Sequence, residues 1–341
     1  MIYYSKYSDM KKIFYAGIAS LVTILSCENN NEPENHTVTI EMGSDHSKDV
    51  YYDLGSATQI ARERSGWDLS FSVPLQTASI RINEGAGVLL YSAGDTTAWN
   101  SVDTTGIASR TPVYNDNSDL MAGAFNRYAQ GGFNFGWGTY DHGGSYSVWG
   151  DSIYIIRLTN GDYKKLFIRK RLGYSDTYQL RWADIDGSNQ FDESFSPSQY
   201  DSKQFIQYSL VDRQVVESEP GTESWDILFT RYLVKIPAGP GILIDYPVIG
   251  VLLRPGLSAV KVENVNPENA TYSQATGNFS ANADLIGWDW KVSDPVTHEI
   301  SVASNTSYFI KVSDTEIYRI YFTDYNSENN GSITFKTHKA E

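Results

Sequence analysis

The run Trp67-Asp68-Leu69-Ser70-Phe71 returns as Trp225-Asp226-Ile227-Leu228-Phe229, and its surroundings return with it. Tyr52-Asp53-Leu54 precedes the first copy and Tyr208-Ser209-Leu210 the second. Downstream, Gly87-Val88-Leu89-Leu90 recurs letter for letter as Gly250-Val251-Leu252-Leu253. Gly136-Trp137 answers to Gly287-Trp288, and Tyr154-Ile155-Ile156-Arg157 to Tyr308-Phe309-Ile310-Lys311. From Tyr154 on, a constant offset of 154 pairs Lys165-Leu166 with Arg319-Ile320 and Tyr178-Gln179-Leu180 with Ser332-Ile333-Thr334. Landmarks kept in order over such a span mark a duplication. Each unit is far longer than a solenoid repeat, so the spacing predicts two tandem domains, residues 37–200 and 201–341.

Within each unit the pattern is that of strands. Val38-Thr39-Ile40, Asp49-Val50-Tyr51-Tyr52 and Ala78-Ser79-Ile80-Arg81-Ile82 alternate or cluster as strands do. Asn160-Gly161 stands between Ser152–Leu158 and Tyr163–Ile168, the strongest short-range hairpin signal; the second unit has Ser313-Asp314-Thr315 there. With no helical run of apolar residues outside the first thirty, and with 24 Tyr, 8 Trp and 27 Gly, the fold class expected is all-β. In the repeated strand Trp67, Leu69 and Phe71 share a face expected in the core, equivalent to that of Trp225, while Asp68 points outward or bonds a neighbouring backbone. The polar stretches 91–135 and 254–286 read as long loops or irregular strands, where function commonly sits.

Ahead of the duplication lies an export signal. Lys11-Lys12 precede an apolar run, Ile13 to Ile24, too short to span a bilayer, and Ile24-Leu25-Ser26-Cys27 has the form of a lipobox. Cys27 is the only cysteine, so no intramolecular disulfide forms, and it is expected to become the lipidated (palmitate-bearing) N-terminus after loss of residues 1–26. Residues 27–36, polar, acidic and Pro-interrupted, read as a disordered tether. Removing residues 1–26, which carry +2 through Lys6, Lys11, Lys12 and Asp9, takes the net charge from −14 to −16. Such a charge disfavours nucleic acid and anionic lipid surfaces as direct partners.

Catalytic signatures are missing from the sequence: there is no Ser-His-Asp order, no His-Glu-X-X-His and no Cys-X-X-Cys. No enzymatic activity is expected. Asp184-Ile185-Asp186-Gly187-Ser188-Asn189 with Asp192-Glu193 echoes a calcium loop without the spacing of one, and reads first as an Asp/Gly turn after a strand.

Together the Tyr-Leu strand, the Trp-Asp-Leu-X-Phe strand, the Gly-rich aliphatic strand, the Gly-Trp segment and the closing Tyr154–Arg157, Asn160–Tyr163, Lys165-Leu166 hairpin resemble the HmuY family of haem-binding lipoproteins of Bacteroidetes. So do Tyr178 to Gly187 and the lipobox. The resemblance spans 38 to about 195 well and about 203 to 341 more thinly; the family usually has one such domain. It implies antiparallel β domains, a cell-surface or periplasm-facing outer-membrane anchor, and haem captured between His or Met side chains for delivery to an outer-membrane receptor. Met121 and His142 are the only Met and His between Leu90 and Tyr154, and both types serve as axial haem ligands. Phe125, Tyr128, Phe133, Phe135, Trp137 and Tyr140 supply aromatic faces for a porphyrin. The plainer alternative makes Met121 a core filler and His142 a solvated turn residue. The second unit has only His298 in the matching stretch, so the resemblance implies no equivalent haem site there. Two readings of other classes stand beside it: a surface glycan-binding lipoprotein using its aromatic content, and a structural module without a small ligand.

Overall fold

The computed structural model describes residues 35–43, 45–74, 77–275, 277–294, 297, 299–326 and 331–340; the lipobox, Cys27 and His298 lie outside them. Strands dominate, every strand pair among the described residues is antiparallel, and the one α-helix is the four-residue Tyr272–Ala275. No described helix is long and apolar enough to cross a membrane. The fold class is therefore all-β, as the alternation requires.

The two largest hydrophobic cores among the described residues are each built from both halves of the sequence. One core gathers Leu69, Phe71, Leu90, Trp137, Tyr154, Leu166 and Leu180 from the first half with Ile206, Tyr208 and Leu210 from the second. The other gathers Ile227, Phe229, Val251, Tyr308, Ile320 and Phe335 with Ile40, Val50, Tyr52 and Leu54. Backbone pairing shows the cause. The strand Lys48–Asp53 pairs with Ile227–Gly239, not with Leu69–Ser72, while Phe205–Ser209 pairs with Leu69–Ser72. Asn35–Glu41, the first described strand, pairs with Ser332–Lys339, the last. The two units have thus exchanged their leading hairpins, and the described residues form one compact unit. A boundary at 200/201 does not separate the cores. Nor does the tether reach residue 36, because Asn35 and His36 already belong to a strand.

The exchange has a local origin. Only the short 3₁₀ turn Arg64–Gly66 and two further residues join the hairpin ending at Glu63 to the strand starting at Leu69, too little chain for the hairpin to fold back beside that strand. Arg64, buried, pins this crossover: Nε donates to Asp49 Oδ1 at 2.7 Å, Nη2 to the Lys48 carbonyl at 2.6 Å and Nη1 to that of His46. Thr230 Oγ1 donates to the same Asp49 oxygen at 2.7 Å. Between the cores runs a polar seam around a cavity of about 100 Å³ lined by Asp49, Arg81, Glu84 and Glu219.

Pairing registers also correct three of the repeat landmarks. Ile80–Ile82 lies against Phe71 and Leu69 as Val251 and Leu253 lie against Phe229 and Ile227. Leu89-Leu90 instead matches Ser258-Ala259, which pair with Lys311 and Ile310 as Leu89-Leu90 pair with Arg157 and Ile156. The shared Gly-Val-Leu-Leu is a coincidence of letters. The strand Ser258–Glu263 accordingly occupies part of a stretch read as long loops or irregular strands. The counterpart of buried Trp137 is Trp290, not Trp288: each precedes its hairpin strand, and their carbonyls accept from Asp151 N at 3.2 Å and Ala303 N at 2.8 Å. Both copies carry a bulge at the same point, Ile168/Lys170 and Phe322/Asp324. Beyond it the match moves by one residue, so Tyr178 and Leu180 correspond to Ile333 and Phe335, all four buried. Trp67 and Trp225 are not equally buried either. Trp225 is enclosed, with Tyr51 edge-on at 5.1 Å, whereas Trp67 is half-buried at the seam cavity.

Candidate functional site

At the end of the first core a hairpin and two loops build an aromatic cleft. Gly138–Tyr140 pairs with Val148–Gly150, and the preceding loop folds onto it: Phe135 N donates to the Gly138 carbonyl and Tyr140 N to that of Phe133, both at 2.8 Å. Asn134 Oδ1 accepts Gly136 N at 2.9 Å, and Gly136 sits at φ +89°, a turn that brings Phe133 and Phe135 to one side. Asp141 closes the tip of the hairpin, its Oδ2 accepting Ser145 N at 2.8 Å and Ser145 Oγ at 3.1 Å. Those bonds hold its carboxyl below the usual range.

The cavity so formed measures about 460 Å³, with Phe133, Phe135, Tyr140, Tyr146, Val148 and Tyr174 on its walls. Tyr146 takes φ +52°, a left-handed backbone uncommon for a bulky residue, and meets Tyr174 edge-on at 5.5 Å. Gly173 lets the two walls meet: a Cβ there would stand 1.8 Å from the Tyr146 carbonyl oxygen. The floor is Arg171, buried and fully occupied, donating to the Val73 and Pro74 carbonyls at 2.9 and 3.1 Å, to Tyr178 Oη at 3.1 Å and to Asp176. The cleft therefore offers ring faces and phenol hydroxyls with its one cation already neutralised, suited to a flat or ring-bearing ligand.

His142 is exposed and is not part of the cavity lining; its imidazole stacks on Phe133, which is, at 4.5 Å and 16°. Met121 does not. Its backbone is held by Asp119 Oδ1 at 2.8 Å, and its side chain packs at the seam against the cluster of Leu120, Phe205, Tyr232 and Val248. The turn Asp119–Ala122 directs the chain between the cores rather than toward the 141–147 hairpin, so Met121 and His142 are not brought together as a pair. Among the aromatics, Phe133, Phe135 and Tyr140 line the cleft, Phe125 and Trp137 are core, and Tyr128 is exposed. Tyr146 and Tyr174, which complete the cleft, carried no sequence signal beyond being aromatic residues near turns.

The stretch after Asp184 is a turn. Asp184 Oδ2 accepts Asn189 Nδ2 at 2.6 Å and Ser188 Oγ at 3.2 Å, Lys164 Nζ bonds its other oxygen, and Asp186 Oδ1 accepts Ser188 N at 2.8 Å. No cluster of three or more His, Cys, Asp or Glu side chains poised for a metal occurs among the described residues. Compared with protein-family models, curated proteins and solved structures, the chain matches none.

Proposed function

We propose that this chain is a lipid-anchored binding protein, not an enzyme, that captures a flat ring ligand in the aromatic cleft, and that the ligand is haem. The supporting observation is the cavity of about 460 Å³ walled by aromatic rings, one of which, Phe133, carries the stacked His142 imidazole. Haem would lie against Phe133, Phe135 and Tyr140, with His142 offering a ring nitrogen to the iron and Tyr146 or Tyr174 the nearest phenols of the opposite wall. Bound there, the iron would supply the ligand's visible spectrum and its redox chemistry. Met121 lies outside this arrangement. The HmuY-like landmarks support the same reading, with Cys27 as the outer-membrane anchor and a haem receptor as the onward partner.

Haemin titration followed by visible spectroscopy is the test. A Soret band that shifts in wild type and in Met121→Ala, but is weakened in His142→Ala and Tyr174→Ala, is the expected result. No shift in wild type removes haem from consideration, and an unaltered spectrum in His142→Ala removes the assigned ligand. A second reading, glycan binding, is favoured by the exposure of Phe133, Tyr146, Trp149 and Tyr174, at 45% or more each. Binding on a glycan array without a Soret shift would support it.

A further inference from the structure

A second cavity, of about 480 Å³, opens in the other core between the long hairpin Ile227–Gly239/Ile242–Leu253 and the short hairpin Lys291–Ser293/Ile300–Val302. Its walls are apolar, among them Tyr246, Val248, Trp288 and Ile300. Around the mouth the apolar surface continues, with Leu243 60%, Val292 51% and Tyr246 47% exposed. Beside the hydroxyls of Tyr246, Ser293 and Tyr325, the ionisable groups on its lining are all bases. His46, Arg231 and Lys291 line it and no carboxylate does.

The three bases are poorly neutralised. Arg231 has neither an ion pair nor a side-chain hydrogen bond among the described residues, although the chain carries a net charge of −14. Among the described residues Lys291 donates only to the Ile249 carbonyl, and it lies over the rings of Trp290 at 4.4 Å and Tyr325 at 5.1 Å. The nearby Asp289 is already engaged by Lys261 at 3.0 Å. His46 is hydrogen-bonded through Nε2 to Tyr325 Oη at 3.3 Å, and its pKa is lowered by burial and then by the facing cations Arg64, Lys291 and Arg231. Burial likewise brings Lys291 down to about 7. Such a cluster beside apolar walls is complementary to an anion with an apolar body.

We propose that this cavity is a second, separate binding site, for an amphiphilic monoanion of the fatty-carboxylate class whose head group is held by Arg231 and Lys291 and whose apolar body lies along Tyr246, Val248 and Trp288. His46 positions the head group through the same rim. The site exists because of the hairpin exchange: of the lining residues, His46 comes from the first half of the sequence and all the others from the second.

Displacement of 1-anilinonaphthalene-8-sulfonate from the full chain, by decanoate and by decan-1-ol, tests this. Decanoate should compete about tenfold better than the alcohol, and Arg231→Gln should remove that advantage, as the loss of one charge-assisted bond would. Arg231 is an exposed side chain, so this variant is expected to keep the wild-type melting temperature; Lys291→Gln provides an independent second variant. Tyr174→Ala, in the aromatic cleft, should leave both competitors unaffected. Equal competition by acid and alcohol, an unchanged decanoate affinity in both charge variants, or loss of decanoate binding in Tyr174→Ala would each overturn the proposal. So would the absence of decanoate binding by calorimetry. Haemin titration of the same variants separates this result from the fate of the aromatic cleft.

Discussion

Asp68 and Asp226 make the same bond in opposite directions across the molecule: Asp68 Oδ2 accepts the backbone N–H of Leu210 at 2.8 Å, and Asp226 Oδ2 accepts that of Leu54 at 3.0 Å. Each backbone returns the contact, Asp68 N donating to the Tyr208 carbonyl at 3.0 Å and Asp226 N to that of Tyr52 at 2.9 Å. Both carboxylates are buried, and burial raises their pKa values despite these bonds. The repeated Asp of the Trp-Asp strand is therefore the clamp on the partner half's hairpin.

Asp68→Ala should free Leu210 N and cost about 1–3 kcal/mol, the penalty of a buried donor left unpaired. Hydrogen exchange should quicken at Leu210 while Leu54 keeps its protection, and Asp226→Ala should show the reverse. Equal loosening of both hairpins in either variant would contradict separate clamps.

Trp225→Ala should cost about 3–5 kcal/mol as a large enclosed side chain is deleted. Trp67→Ala should cost less, because the indole is only half-buried. Chemical denaturation of the two variants, with acrylamide quenching of single-tryptophan forms, gives the order; equal costs would deny the asymmetry.

Gly85 packs against the other half so closely that a Cβ would stand 2.0 Å from the Arg231 carbonyl oxygen. Gly85→Ala must push the halves apart and should cost roughly 3 kcal/mol. A melting temperature equal to wild type would show that the seam yields freely.

Glu219 lies buried at the seam, accepting Gln204 N at 3.0 Å and Phe205 N at 2.9 Å, yet burial outweighs those donors and raises its pKa to about 8. A carboxyl whose folded pKa exceeds its unfolded value binds more protons when folded, so stability should fall as pH rises from about 4.5 to 8. Glu219→Gln should remove about one proton from that slope, about 1.4 kcal/mol per pH unit at full effect. Parallel wild-type and variant curves between pH 5 and 8 would place the titration elsewhere.

What the sequence made legible was local. The Asn160-Gly161 hairpin forms as its residues dictate, Gly161 at φ +91° with its N–H bonded to the Leu158 carbonyl at 2.9 Å. The Tyr-Leu and Trp-Asp strands likewise exist where their alternation puts them. Which strand pairs with which was hidden, because Tyr52 and Tyr208 sit in near-identical patterns and either fits either Trp-Asp partner. Only the length of the connection after Glu63 decides. Letter identity misled at Gly250–Leu253, where a strand is defined by its hydrogen-bond partners and not by its residues. At the cleft, a Gly-rich aromatic loop pointed to Phe133, Phe135 and Tyr140. Met121 was selected for its chemistry alone, and nothing in its neighbours told that Asp119 would turn it into the seam. His46 could not be seen as a neighbour of Lys291 without knowing the exchange.

The reciprocal hairpins say something about the ancestor of this chain. A single-copy precursor, with the same short link after its second strand, could satisfy its core only by lending its hairpin to another molecule and borrowing one in return, a two-fold dimer closed by mutual insertion. Fusing two such copies end to end converts that encounter between molecules into one within a chain, free of dilution, and lets each copy drift. That drift is what the two cavities display: one walled by rings and neutral, the other lined by bases.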